Sequence, residues 1–306
     1  MKFVFFQNTP PWYRFILAVF VVFSLMIISY FVGIIIGIPF FHISVEELPD
    51  LLSRGIHSDN IPFLKYIQAV QSIGTFLLPA LLLAWLFSGN ISGYLHLNHS
   101  ISIYSLLLVA FSLVAAIPVI NFSGYINSKM PLPGFMDDFF RQMEESYSQL
   151  LASFLKTSSI KGYIVNMFVI AVLPAVCEEF LFRGVFQRIF TDLTRNKHFG
   201  IYLAAALFSL LHFQFSGLLP RFLLGVYFGY LFYWGRTLWL PIAAHFVNNA
   251  FAVTFYHFSK AVPGESLVDN LGTNFSNLIP VMASIILFSL LAFAVYQSER
   301  IKHLKT

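Results

Sequence analysis

The chain has 306 residues, 58% of them hydrophobic and only 10% charged, with a mean hydropathy of +0.76, whereas soluble domains carry roughly 25% charged residues. With 37 Phe, 14 Tyr and 4 Trp, the apolar surface exceeds what a water-facing globule of this length can hide, which excludes a cytosolic enzyme, a free-standing binding module and a disordered chain. The net charge of +4 comes without any basic run, so no nucleic-acid partner is expected, and the single Cys177 permits neither an internal disulfide nor a CxxC metal knuckle.

The composition predicts an all-α, polytopic membrane protein of about eight transmembrane helices with a buried polar site. An apolar run of about 20 residues spans a bilayer. Such runs occur, in chain order, near Phe15–Ile38, Tyr66–Phe87, Ile101–Phe122, Tyr163–Phe190, Phe199–Phe213, Gly217–Trp234, Leu238–His257 and Leu278–Gln297. The fifth is short. The first is too long for the apolar core of a cleaved leader and reads as a retained span. Between the third and fourth, Gly134–Leu155 mixes Asp137, Asp138, Arg141, Glu144 and Glu145 with Phe139, Phe140, Met143, Leu150 and Leu151. That pattern predicts an amphipathic helix along the outer surface, read as a solvated connector in preference to a substrate gate.

Lys and Arg are retained on the cytoplasmic side of a membrane. Lys2 and Arg14 precede the first span, Arg188, Arg195 and Lys197 follow the fourth, Arg236 follows the sixth, and Arg300, Lys302 and Lys305 end the chain. The loop after the first span carries Glu46, Glu47, Asp50 and Asp59 against Arg54 and Lys65, and the loop after the seventh carries Glu265 and Asp269 against Lys260. Both termini are therefore expected in the cytoplasm.

Chemistry is sought where polarity is costly. An ionisable group inside a span costs about 3 kcal/mol even on insertion scales, so each one needs a reason. The fourth span reads AVLPAVCEEFLFRGVFQRIF. Glu179 and Arg183 are one helical turn apart in the order that favours an ion pair, while Glu178 points about 100° away with no partner in its own span. His212 stands four residues after Phe208, and His245 four before Asn249. Helix rise places Glu178, His212, His245 and Asn249 roughly 11 to 20 Å below the cytoplasmic face, which predicts one polar level reached by a funnel from that side. Glu178, aided by His212, can take a proton from water, and His245 and Asn249 can donate hydrogen bonds to the oxyanion at an attacked carbonyl. No cofactor is needed for this. A zinc site with Glu178, His212 and His245 as ligands is the alternative, ranked second because Asn is an uncommon zinc ligand and no HExxH helix is present.

At these residues the sequence resembles the intramembrane CAAX prenyl protease and bacteriocin-processing family, also called Abi. The family's EExxxR motif is met by Glu178, Glu179 and Arg183, FxxxH by Phe208 and His212, and HxxxN by His245 and Asn249. The resemblance implies an intramembrane endopeptidase of the glutamate type, formerly classed as a metalloprotease. Glu178 and His212 would activate water and His245 and Asn249 would form the oxyanion hole, with Glu179, Arg183 and Phe208 in support. It divides the chain into N-terminal spans with the surface segment (1–160), a catalytic core (161–257), and an outer loop with the last span (258–306). It also implies a bacterial inner-membrane protein whose partners are the lipid bilayer and a peptide or membrane-protein substrate. Eukaryotic relatives trim prenylated tails, and bacterial ones are tied to peptide maturation, bacteriocin immunity or scaffolding. A transporter is the contrasting class; the chain lacks the repeated halves and continuous polar file it would need.

Overall fold

The computed structural model describes residues 6–44, 46, 60–132, 134–261, 266–273, 275 and 278–305. Lys2, Glu47, Asp50, Arg54, Asp59 and Glu265, used above for orientation, lie outside the described residues. Every regular element among those described is a helix: α1 (Pro11–Phe41), α2 (Ile61–Ser88), α3 (Ile103–Ser128), α4 (Gly134–Leu155), α5 (Ile160–Thr194), α6 (Lys197–Leu210), α7 (Leu218–Gly235), α8 (Trp239–Ser259) and α9 (Ile279–Lys305). Five of them, α1, α2, α3, α5 and α9, are long and apolar enough to cross a membrane, and α6 is a shorter apolar helix. Eight transmembrane helices are expected from the sequence; five long apolar spans and one shorter apolar helix are found among the described residues. For α6 the reason is length, since it has 14 residues, while α8 carries His245, Asn248 and Asn249.

The outer helices show why the chain belongs in lipid. On α1, Phe20, Phe31, Ile35 and Phe40 are each more than 60% exposed, an apolar surface that a water-soluble monomer does not present. This is an all-α integral membrane protein.

Its two ends are defined by contacts. At one end Arg14 pairs with Asp192 at 3.6 Å, Thr237 Oγ1 donates to the His99 carbonyl at 2.8 Å, and Lys302 Nζ donates to the Ser100 carbonyl. The first turn of α1, the α5–α6 turn and the end of α9 therefore share this basic end. At the other end Asn121 Nδ2 donates to the Val268 carbonyl at 2.7 Å and Asn127 Oδ1 accepts from the Leu219 amide at 2.7 Å.

Proline shapes the helices around the site. A proline has no N–H and crowds the carbonyl one turn earlier. In α2 and α5 a π-helical turn, Ile73–Leu77 and Met167–Val172, immediately precedes the turn that starts with Leu78–Pro79 and Leu173–Pro174. A third π turn, Phe182–Phe186, follows the paired glutamates. Such turns widen a helix locally and free its polar groups. In α3, Pro118 is relieved instead by Ser284 of α9, whose hydroxyl donates to the Ala115 carbonyl at 2.5 Å and accepts from the Val119 amide at 3.2 Å.

The seam between α5, α6 and α7 relies on two glycines one turn apart. A Cβ on Gly229 would stand 2.7 Å from Ile201 Cγ2, and one on Gly225 3.1 Å from Ala205 Cβ, so only glycine lets α7 come this close to α6. Across the same seam Arg183 Nη2 donates to the Gly225 carbonyl at 3.0 Å, and Gln187 Nε2 to that of Gly229 at 3.2 Å.

Candidate active site

Glu179 and Arg183 form the expected ion pair. Arg183 Nη1 donates to Glu179 Oε1 at 2.8 Å, and the two side chains are 0% and 1% exposed. The guanidinium also stacks over Phe208 at 4.9 Å and Phe228 at 5.6 Å from the ring centres. Phe208 is thus a cation–π platform, which explains an aromatic one helical turn before His212.

Glu179 has a second duty. His245 Nδ1 donates to the same Oε1 at 2.9 Å, which directs His245 Nε2 toward Glu178 Oε2, 3.9 Å away. Phe228 stacks on the imidazole at 5.4 Å and 27° and holds its plane. The arrangement fixes the tautomer through one nitrogen and leaves the other for chemistry.

His212 does not stand on the helix as expected. α6 ends at Leu210, and His212 lies in the following turn. Its Nδ1 still donates back to the Phe208 carbonyl at 2.7 Å, one of the carbonyls left open at a helix C-terminus. Among the described residues its Nε2 makes no hydrogen bond. Among the described residues His212 makes no hydrogen bond or ion pair with Glu178, so the expected base pair is two groups lining one cavity and not a contact.

Asn249 is placed by the proline in α5. Pro174 cannot donate to the turn containing Ile170, and Asn249 Nδ2 donates to the Ile170 carbonyl at 3.1 Å. Asn248 Nδ2 donates to Asn249 Oδ1 at 3.1 Å, which sets the amide orientation and leaves one Asn249 N–H for a ligand.

Glu178, His212, His245 and Asn249 all line one cavity of about 400 Å³, with Arg221, Gln68 and Asn248 among the other polar residues on its wall. Arg221 does not pair with Glu178. It donates to Gln214 Oε1, and its Nη1 is buried without a hydrogen-bond partner among the described residues.

The cavity overturns two expectations. Its wall includes Tyr147, Leu150, Leu151, Phe154 and Leu155 of α4, so α4 covers the site and is not a solvated connector. It is also docked. The Phe154 carbonyl accepts from Asn166 Nδ2 at 2.6 Å and from Lys65 Nζ at 3.2 Å, and Glu144 Oε1 accepts from the Ser216 amide at 2.6 Å. Because α4 joins α3 to α5 at the end away from Arg188, Arg195, Lys197 and Arg236, the cavity lies toward that opposite end. The funnel expected from the basic face is absent among the described residues.

For zinc, Glu178, His212 and His245 supply suitable atoms, since each histidine gives Nδ1–H to a protein oxygen and keeps Nε2 open. Among the described residues, however, no three His, Cys, Asp or Glu are gathered closely enough to hold a metal ion, and these three are not such a group.

One feature escaped the motifs: the glycine pair Gly225 and Gly229, whose spacing is a visible signal.

A polytopic helical membrane protein with carboxylate, imidazole and amide groups turned into one internal cavity is the class that fold and site define. Within it, residues 160–251 match the family model described as type II CAAX prenyl endopeptidase, Rce1-like, which covers the helices bearing all three motifs. Among curated proteins, the chain is similar to the membrane-embedded CAAX protease MroQ of Staphylococcus aureus, with 29% identity over 96 residues, 30% of this chain and 39% of that protein. It is also similar to the uncharacterized protein YpbD of Bacillus subtilis, with 30% identity over 94 residues, 29% of this chain and 45% of that protein. The chain thus spans less than half the length of either relative. No solved structure matches it.

Proposed function

We propose that this protein is an intramembrane endopeptidase that hydrolyses peptide bonds of membrane-associated peptides or proteins. The observation that carries the reading is the meeting of Glu178, His212, His245 and Asn249, from three segments of the chain, on one cavity. Glu178 takes a proton from water as the water oxygen bonds to the peptide carbonyl carbon. His212 Nε2 assists by accepting a hydrogen bond from that water. The free Asn249 N–H stabilises the oxyanion. The abstracted proton passes through His245 Nε2, 3.9 Å from Glu178, which donates to the oxyanion and then protonates the leaving amine. Similarity to a CAAX protease and to the Rce1-like family supports peptide-bond chemistry and a substrate held at a membrane.

The test is cleavage of a membrane-anchored peptide library by the purified protein. Glu178→Gln is expected to abolish turnover, by about 10⁴-fold or more if the base is lost, while the protein purifies normally. Full activity of that variant overturns the mechanism.

The open Nε2 atoms of His212 and His245 favour zinc as the second reading. Prolonged chelation is expected to leave turnover intact. Loss to chelator with recovery on added zinc puts the metal reading first.

A further inference from the structure

A second cavity, of about 650 Å³, lies at the basic end, lined from α5, α6, α7, α9 and the α2–α3 loop. Arg188, Lys197, Arg236 and Arg300 all reach it, against one carboxylate, Asp192. Asp192 is already paired with Arg14 at 3.6 Å. Among the described residues Lys197, Arg236 and Arg300 have no carboxylate partner. Arg188 is held in place, donating to the Tyr94 carbonyl and lying 4.0 Å over the Tyr94 ring, while Lys197 Nζ sits 5.0 Å over Tyr233.

Like charges gathered around one hollow repel each other unless an anion joins them. Lys197 adds to the misfit, since the first turn of a helix favours acids over cations. His96, on the same wall, adds no compensating negative charge; burial and the nearby Arg188 hold its pKa below the ordinary histidine value. Cations without a carboxylate partner suit a phosphate, and Trp234 and Tyr296 on the wall are residues suited to headgroup depth.

We propose that this cavity binds a phosphate ester, with Arg188, Lys197, Arg236 and Arg300 on the phosphate oxygens. Its source is the headgroup of an anionic phospholipid of the phosphatidylglycerol type or a soluble glycerol phosphate. General attraction of the basic end to anionic membranes requires no hollow and leaves no lipid bound once the bilayer is gone.

The full-length protein in mild detergent is mixed with phosphatidylglycerol, phosphatidylcholine or glycerol 3-phosphate, and bound adducts are counted by native mass spectrometry. Phosphatidylglycerol is expected to be retained about five-fold more than phosphatidylcholine, and the excess to vanish in Arg236→Gln/Arg300→Gln with an unchanged lipid-free melting temperature. Retention of glycerol 3-phosphate without the lipid, lost in the same variant, assigns the site to the soluble ester. Equal retention of all three, or an excess that survives the double substitution, overturns the proposal. Should the double variant fail to fold, Lys197→Gln decides by the same comparison. Glu178→Gln keeps the adduct, so this outcome is independent of the peptidase reading.

Discussion

Adjacent glutamates on one helix take different work because their neighbours differ. Glu179 is fully buried between Arg183 and His245, whereas Glu178 faces the cavity with His245 Nε2 at 3.9 Å. Glu179→Gln removes the charge that balances Arg183 inside the membrane, and an uncompensated buried charge costs about 3–5 kcal/mol. The same change removes the acceptor that aligns His245. Thermal unfolding in detergent is expected to shift downward for Glu179→Gln and to stay near wild type for Glu178→Gln. Equal melting temperatures for the two variants would show that Arg183 does not depend on Glu179. The aromatic partners follow the same logic, since Phe208 and Phe228 both lie under Arg183.

At the scale of elements, the cover helix α4 turns an amphipathic pattern into part of the site. Its last turn is tied down by Asn166 and Lys65 on one carbonyl. A buried hydrogen bond contributes about 1 kcal/mol, so Asn166→Ala is expected to raise the undocked fraction of α4 about five-fold. The readout is the rate at which a water-soluble thiol reagent labels Leu224→Cys, on the cavity wall, in a Cys177→Ser background. An unchanged rate would show that α4 does not limit access. The sequence made the four candidate residues legible because charged and amide side chains are rare within apolar spans, so Glu178, His212, His245 and Asn249 stood out against Leu, Phe and Val. It left the cover hidden, because the acidic and aromatic faces of Gly134–Leu155 state that the helix lies at an interface and not what it packs on. The end of α6 was misread for a related reason: apolar residues continue through Phe213, and the left-handed backbone there, at φ 51°, is not written in hydropathy. The π turns were legible only in part, through Pro79 and Pro174.

For the whole molecule, charge and cavity point to opposite ends. Arg188, Lys197, Arg236 and Arg300 gather where α5, α7 and α9 end, and because basic residues are retained in the cytoplasm, we propose an orientation with that end on the inside. The candidate cavity lies toward the other end under α4, so in that orientation the proposed peptidase takes its substrate from the outer side. Backbone polar groups freed by the π turn Met167–Val172 border this cavity and are satisfied there by Asn249, consistent with irregular backbone occurring where it lines a cavity. Single cysteines test the arrangement in a Cys177→Ser background on intact cells and inverted vesicles. Arg195→Cys is expected to label only from the cytoplasmic side, and Lys260→Cys only from the outer side. Leu224→Cys is expected to react with a small water-soluble reagent supplied from the Lys260 side. Labelling of Arg195→Cys and Lys260→Cys from the same side would break the helix count, and both reversed would invert the membrane orientation. Reaction of Leu224→Cys from the Arg195 side alone would place the entrance at the basic end and overturn the role given to α4.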